Sequence, residues 1–175
     1  MELDINEYIR KVPDFPRQGV LFYDITSILA SPVAFRHCID RMKAIYQNAG
    51  IDAVAAIEAR GFVFAAPFAV ELGIPLILVR KKGKLPGVTV SKSYALEYGT
   101  AAIEIHQEDV PQGKNVLLLD DLIATGGTLR AARELLVSSG AKVTDVFGVV
   151  GLPFLAYQKM LPDVRVTTLI SYNAE

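Results

Sequence analysis

The chain has 175 residues, 51% of them apolar, with 18 Lys and Arg against 19 Asp and Glu, a formal net charge of −1. That is enough to close one substantial core and too little for two independent domains, and it leaves no global field to draw the chain to nucleic acid or an anionic membrane. A single cysteine, Cys38, excludes an intrachain disulfide, and the two distant histidines, His37 and His106, exclude a Cys/His metal cluster within one chain.

The opening MELDINEYIRKV carries acids and lacks the basic-then-apolar order of a secretory signal, and no apolar run reaches membrane-spanning length; a cytoplasmic soluble protein is expected. Glu2–Val12 predicts a short amphipathic helix. PDFPRQG then stacks prolines and a glycine into a loop that leads into Val20–Ile25. Ser31-Pro32 supplies a cap and a first-turn proline, and Phe35, Cys38, Ile39, Met42, Ile45 and Tyr46 follow at helical spacing until Gly50. Cys38 falls on the apolar face, where an inert core thiol is expected; His37 and His106 read as structural.

Ala53–Ile57 predicts a buried strand, followed by the turn Glu58-Ala59-Arg60-Gly61 and an apolar helix ending at Gly73, kinked or shortened by Pro67. Pro75–Arg80 is the next strand, and Lys81–Gly87 a loop rich in lysine and glycine. Ser91–Tyr98 and Thr100–His106 meet at Gly99 as an antiparallel ribbon expected to stand outside the main sheet. After the turn PQGKN, Val116–Asp120 predicts a central strand, Thr128–Ser138 a helix closed by Gly140, and Lys142–Val150 and Arg165–Ile170 two further strands. Strands alternating with helices imply right-handed crossovers and a parallel sheet, so the fold class is α/β, with residues 1–175 as one domain.

The densest chemistry lies in Val116–Thr128, VLLLDDLIATGGT. An apolar strand runs into Asp120-Asp121, and Thr125-Gly126-Gly127-Thr128 opens a helix. Adjacent glycines let backbone N–H groups converge on one concavity, and the helix adds unpaired donors and its positive dipole end, which suits a phosphate monoester. The threonine hydroxyls add donors, while two carboxylates accept from vicinal hydroxyls such as those of ribose. An ordinary strand-to-helix turn is the competing reading of this spacing. A Walker loop is excluded because GxxxxGK[ST] is absent, and a Rossmann turn because GxGxxG is absent.

VLLLDDLIATGGT resembles the phosphoribosyl pyrophosphate signature of the type I phosphoribosyltransferases. Together with PDFPRQGVLFYDIT, IEARGF, VRKKGKLPG and SYALEYG, in that order along roughly Pro13 to Gly140, it is similar to the adenine branch of that family. The resemblance implies a central parallel sheet flanked by helices, a small hood from about residues 1–30 over the base, and a flexible catalytic loop and mobile ribbon over about 81–106. It implies transfer of 5-phosphoribosyl from phosphoribosyl pyrophosphate to adenine N9, giving AMP and pyrophosphate in purine salvage. A homodimer is implied as well.

Residue by residue, the resemblance assigns the phosphoribosyl group to Asp120, Asp121, Ala124, Thr125, Gly126, Gly127 and Thr128, and the pyrophosphate to Arg60, Arg80 and Lys84. Glu97 would assist proton transfer at the purine, with Tyr98 beside it in the lid. Leu21, Phe22 and Tyr23 would meet adenine through main-chain contacts and an aromatic stack, with Leu122 on the other ring face. Phe22 and Leu122 also read as plain core residues, and Glu97 as an exposed hairpin glutamate. Mg2+ is implied, carried on pyrophosphate and ribose oxygens and water, with no direct protein cage expected. One departure stands out: a glutamate and then a Gly-Arg pair are expected after the strand ending at Val150, where this chain has Gly151-Leu152-Pro153-Phe154 and Tyr157-Gln158. Two rivals stay open, the same fold acting on hypoxanthine, guanine or xanthine, and a non-catalytic sensor of phosphoribosyl pyrophosphate. The sensor would need a nucleic-acid or partner surface for which the charge balance offers no broad basic patch.

Overall fold

A computed structural model describes residues 3–95 and 99–173. In chain order its strands are β1 (Arg10–Val12), β2 (Phe22–Asp24), β3 (Ala53–Ile57), β4 (Leu76–Lys81), β5 (Val90–Ala95), β6 (Thr100–Ile105), β7 (Asn115–Ile123), β8 (Lys142–Gly151) and β9 (Arg165–Ser171). The α-helices are α1 (Thr26–Leu29), α2 (Pro32–Tyr46), α3 (Arg60–Leu72) and α4 (Gly127–Ser138). β1 and β2 pair by themselves, and the other seven strands form one sheet in the order β5-β6-β4-β3-β7-β8-β9. The run from β4 through β9 is parallel, as the alternation of strands and helices predicts.

Period-two alternation along the central strands divides the core. Val54 and Ala56 of β3 pack with Cys38 and Met42 of α2 and with Phe64 and Phe68 of α3, whereas Ala53, Ala55 and Ile57 pack with Leu129, Ala132 and Leu136 of α4. β7 divides the same way, Leu117 and Leu119 on the first side and Val116 and Leu118 on the second. Burial on both faces is why these strands read as unbroken apolar runs. Polar chemistry is thereby confined to their ends.

The helices follow their sequence signals closely. Ser31 Oγ accepts from the Ala34 amide at 3.3 Å, Pro32 occupies the first turn, and Ala34, Cys38, Ile39, Met42 and Tyr46 form the buried face. α2 stops at Tyr46, short of the predicted Gly50, because the polar Gln47-Asn48 stretch buries nothing. α3 runs through Pro67 to Leu72 without being shortened and closes on Gly73, at φ 66°. Burial holds the Cys38 thiol up at about 12, an inert core sulfhydryl.

Two expectations are corrected. Glu2–Val12 is not a helix: Ile5–Tyr8 makes one 3-10 turn, and Arg10–Val12 pairs antiparallel with Phe22–Asp24. The Arg10 amide donates to Ser27 Oγ at 2.9 Å and its guanidinium meets Asp24 at 3.1 Å, tertiary partners that outcompete a short isolated helix. Nor does the ribbon stand outside the main sheet. β6 pairs antiparallel with β4 through Arg80↔Glu104 and Lys81↔Ile103, so Ile103 and Ile105 join the core of Ile77 and Val79 and cover an otherwise open edge.

Between the 3-10 turns Pro153–Leu155 and Tyr157–Lys159, Ala156 holds φ 56° and ψ 34°, a conformation in which its Cβ crowds the following carbonyl. Ala156→Gly is therefore expected to stabilise the fold by about 0.5–1 kcal/mol after glycine's own entropic cost. Urea denaturation measures it; a lowered midpoint would show that Ala156 is unstrained.

Candidate active site

The carboxyl ends of β3, β4 and β7 lie side by side in the sheet, the place where parallel α/β sheets put their ligands. Each end carries a segment singled out in the sequence: Glu58–Gly61 after β3, Arg80–Lys84 after β4 and Asp120–Thr128 after β7. The peptides Glu58–Ala59 and Phe15–Pro16 are cis.

β7 is longer than predicted and carries Asp120-Asp121 within its last turn of pleat, to Ile123. Asp121 follows Leu117 and Leu119 onto the α3 side, is 5% exposed, and accepts from Nε of Arg60, the first residue of α3. That contact is made through Nε, and the Arg60 side chain stays 49% exposed. Burial alone would weaken Arg60 as a base, but the Asp121 hydrogen bond and the charges of Asp121, Asp120 and Asp24 outweigh it and keep the guanidinium protonated. Asp120 Oδ1 accepts from the Asp121 amide at 2.9 Å. Burial, and then the adjacent Asp121 charge, push Asp120 well above the ordinary carboxylate range. α3 approaches closely here: a Cβ on Gly61 would lie 3.4 Å from Asp120 Cα.

Beyond the acids, Gly126 at φ 82° turns the chain into α4, and Gly127 is its first residue. No side chain caps α4, and none caps α3 at Ala59, whereas α2, away from these strand ends, is capped by Ser31. Two helices thus aim uncapped amides at one end of the sheet, an anion-binding arrangement. Ala124 is half-buried, Thr125 exposed, and Thr128 Oγ1 lies 3.1 Å from the Tyr94 hydroxyl of β5. Lys92 of the same strand meets Glu134 of α4 at 2.9 Å, so the ribbon is strapped along the helix that the glycine turn opens.

The basic loop is held by two carboxylates that sequence reasoning missed. Glu58 accepts from Arg80 Nε at 2.7 Å, and Arg80 Nη1 donates to the Lys84 carbonyl at 2.9 Å. Glu104 of β6, 3% exposed, accepts from the Lys84 and Leu85 amides at 2.8 Å each and from Thr89 Oγ1 at 3.2 Å. Alternation with Ile103 and Ile105 marks Glu104 as solvent-facing. The available signal was a carboxylate on the strand facing a glycine-rich loop of unpaired amides. A cavity of about 750 Å³ lined by Pro86–Val88 and His106–Glu108 shares none of the expected site residues.

At the hood, Tyr23 is buried and stacks on Tyr172 with centroids 3.9 Å apart, so its ring is committed to packing. Phe22 points elsewhere: half-buried, it meets the exposed Phe15 edge-on at 4.9 Å. Leu21 and Leu122 are partly buried against the α2–α3 core. Asp24, at the end of β2, is close enough to Arg60 for the two charges to act on each other. Glu97 and Tyr98 lie outside the described residues.

Glu104 yields a pH prediction. The Leu85 amide, with those of Gly83 and Lys84 and the Thr89 hydroxyl, overcomes desolvation and holds its carboxyl below the ordinary range. Its stabilisation is complete above the unfolded carboxylate value, about 4.3, and is lost as pH falls through the lower native value. Glu104→Gln is expected to flatten the acid limb of stability below about pH 4.5, measured by urea denaturation across pH. An unchanged limb would mean that Glu104 does not carry this linkage.

Comparison with known proteins agrees with this geometry. Residues 24–163 match the family model described as the phosphoribosyl transferase domain. The adenine phosphoribosyltransferase of Treponema denticola is 63% identical over 171 residues, 98% of this chain and 90% of that protein. Among solved structures, adenine phosphoribosyltransferase from Thermoanaerobacter pseudethanolicus superposes with TM-score 0.92 at 42% identity, covering 96% of this chain and 98% of that one. The Saccharomyces cerevisiae enzyme, solved with adenine and an imino-altritol bisphosphate, gives TM-score 0.88 at 36% identity over 94% of this chain and 96% of that one. With an acidic strand end, an uncapped glycine turn and relatives of this closeness over nearly its whole length, the chain belongs to the phosphoribosyltransferase family, in its adenine phosphoribosyltransferase branch.

Proposed function

We propose that the protein transfers the 5-phosphoribosyl group from phosphoribosyl pyrophosphate to N9 of adenine, forming AMP and pyrophosphate. The observation that carries this reading is the central strand that holds Asp120-Asp121 near its carboxyl end, followed within a few residues by the Gly126 turn into an uncapped α4. In this reading the α4 amides, Gly126, Gly127 and the hydroxyls of Thr125 and Thr128 take the 5′-phosphate, with Ala124 beside them. Asp120 and Asp121 accept from the ribose hydroxyls. Arg60, Arg80 and Lys84 draw the pyrophosphate, with the Ala59–Gly61 amides at the start of α3.

Bond breaking at C1′ leaves positive character on the sugar and negative charge on the departing pyrophosphate, so the protein's work is positioning and charge stabilisation. The Arg60–Asp121 ion pair supports this reading, since it holds a cation beside the acids assigned to the ribose. Phe22, packed on Phe15 outside the two main clusters, suits a purine stack, with Leu122 on the other face; Leu21 and Tyr23 contribute main chain. Glu97 assists the proton that leaves the purine ring, with Tyr98 in the lid.

Magnesium fits the donor set, because Asp120 and Asp121 are hard oxygen donors beside the oxygens the substrate would bring. When bound, the ion would neutralise charge on the pyrophosphate. A homodimer and a cytoplasmic location belong to the same reading. Val70 on α3 and Val88 beside the basic loop, 82% and 90% exposed, are apolar side chains that a subunit contact would cover. Among the described residues no helix is long and apolar enough to cross a membrane.

Assay of the purified protein with phosphoribosyl pyrophosphate and each purine tests the reading. AMP from adenine is expected, with guanine, hypoxanthine and xanthine poor; nucleotide from one of those and none from adenine would overturn it. Glu97→Ala is expected to lower kcat by about 10²–10⁴ with substrate binding retained. Unchanged turnover would remove Glu97 from the chemistry.

A further inference from the structure

Gly151 and Tyr157, both within the departure that begins at the end of β8, lie in one chain of contacts that ends at the glycine turn. Tyr157 is 5% exposed and opens the 3-10 turn Tyr157–Lys159. One end of this residue underlies Gly126, where an added Cβ would lie 3.1 Å from Tyr157 Cβ, 3.2 Å from its carbonyl oxygen and 3.3 Å from Met160 Cβ. The other end reaches the last residue of β8, where a Cβ on Gly151 would lie 3.0 Å from the Tyr157 hydroxyl and 2.8 Å from Thr168 Cγ2. Between these ends the ring belongs to the apolar cluster of Ile123, the last residue of β7, and Leu129, in the first turn of α4.

We propose that Tyr157 is a positioning residue for the phosphate turn, a strut between Gly126 and the end of β8 whose hydroxyl takes the volume that Gly151 leaves empty. The proposal rests on the reading of residues 124–128 as the phosphate cradle. Its physical basis is that the turn has no side-chain cap to fix it and carries an exposed Thr125 on its open side. The donors keep their convergence only if something stiff stands behind them. A buried aromatic ring with two torsions and close-packed neighbours is stiff. Side-chain volume is traded along the strut: a bulky residue at 157 requires the smallest one at 151.

Steady-state kinetics separate positioning from packing. Tyr157→Leu keeps apolar bulk but loses the reach, and is expected to raise the KM for phosphoribosyl pyrophosphate by about tenfold or more while the KM for adenine stays within about twofold. Thr128→Val, which removes a cradle hydroxyl directly, is the control on the underlying reading. If Thr128→Val leaves affinity for ribose 5-phosphate untouched, the cradle reading fails. If Thr128→Val weakens it and Tyr157→Leu does not, the strut fails.

The hydroxyl contact is tested on a Thr168→Ser background, which removes the competing methyl and retains the hydroxyl that lies 2.8 Å from Ser171 Oγ. There Gly151→Ala is expected to raise the same KM, and adding Tyr157→Phe to restore it to within about twofold, because the oxygen met by the new methyl is gone. This cycle carries the test even where Tyr157→Leu does not accumulate. A KM rise shared equally by both substrates, a loss of melting temperature with no KM change, or failure of Tyr157→Phe to rescue Gly151→Ala would each overturn the proposal.

Discussion

Burial of β3 and β7 on both faces is the constraint from which the rest of the molecule follows. With Val54 and Ala56 committed to α2 and α3, and Ala53, Ala55 and Ile57 to α4, neither strand has a face on which to carry a polar side chain. An ionised group within them would lose its hydration with no partner in reach. The acids of β7, Asp120 and Asp121, come near its carboxyl end, where Arg60 at the start of α3 supplies the partner that a buried Asp121 needs. Parallel pairing then puts the ends of β3 and β4 at the same level, so Arg60 and Arg80 reach the same region without any long excursion of the chain. The site is a consequence of where the core stops.

The anchoring of the basic loop shows a second layer of the same logic. A loop with two glycines and two lysines between β4 and β5 has little reason to hold one shape. The ribbon supplies that reason, because pairing β6 to the edge of β4 brings Glu104 against the Lys84 and Leu85 amides. Arg80 is pinned in turn between Glu58 and the Lys84 carbonyl. Two buried or half-buried carboxylates thus orient a cationic segment that would otherwise be drawn onto whichever acid was nearest, Asp120 and Asp121 included.

Much of this was legible in the sequence because the signals were local. The Ser31-Pro32 cap, the alanine-rich β3, the Gly73 stop and the glycine turn before α4 each act within a few residues. What stayed hidden depended on pairing across the chain. MELDINEYIRKV has helical periodicity, yet Arg10 finds Asp24 and Ser27, and Val12 finds Phe22, so the segment extends instead. Glu104 reads as an outward strand residue until β4 is placed beside it. Tyr23 and Phe22 are adjacent aromatics with no sequence difference that says which is core; alternation and the distant Tyr172 decide it. The departure over Gly151–Gln158 was visible as a change of pattern, but the contact between Gly151 and Tyr157 within it was not.

Charge at the site is arranged so that binding exchanges partners instead of stripping water from bare ions. Asp121 is held by Arg60, while Asp120, half-buried beside the Asp121 carboxylate, resists ionising. Hydroxyl donors or a cation arriving at the pair would favour the charged form of Asp120 and offset the repulsion from Asp121. An anion arriving at Arg60 would meet a guanidinium already oriented by Asp121 through Nε and still half exposed. In the reading proposed above, a ligand that carries diol and anion together satisfies both the acid pair and Arg60, which neither a bare phosphate nor a bare diol would do.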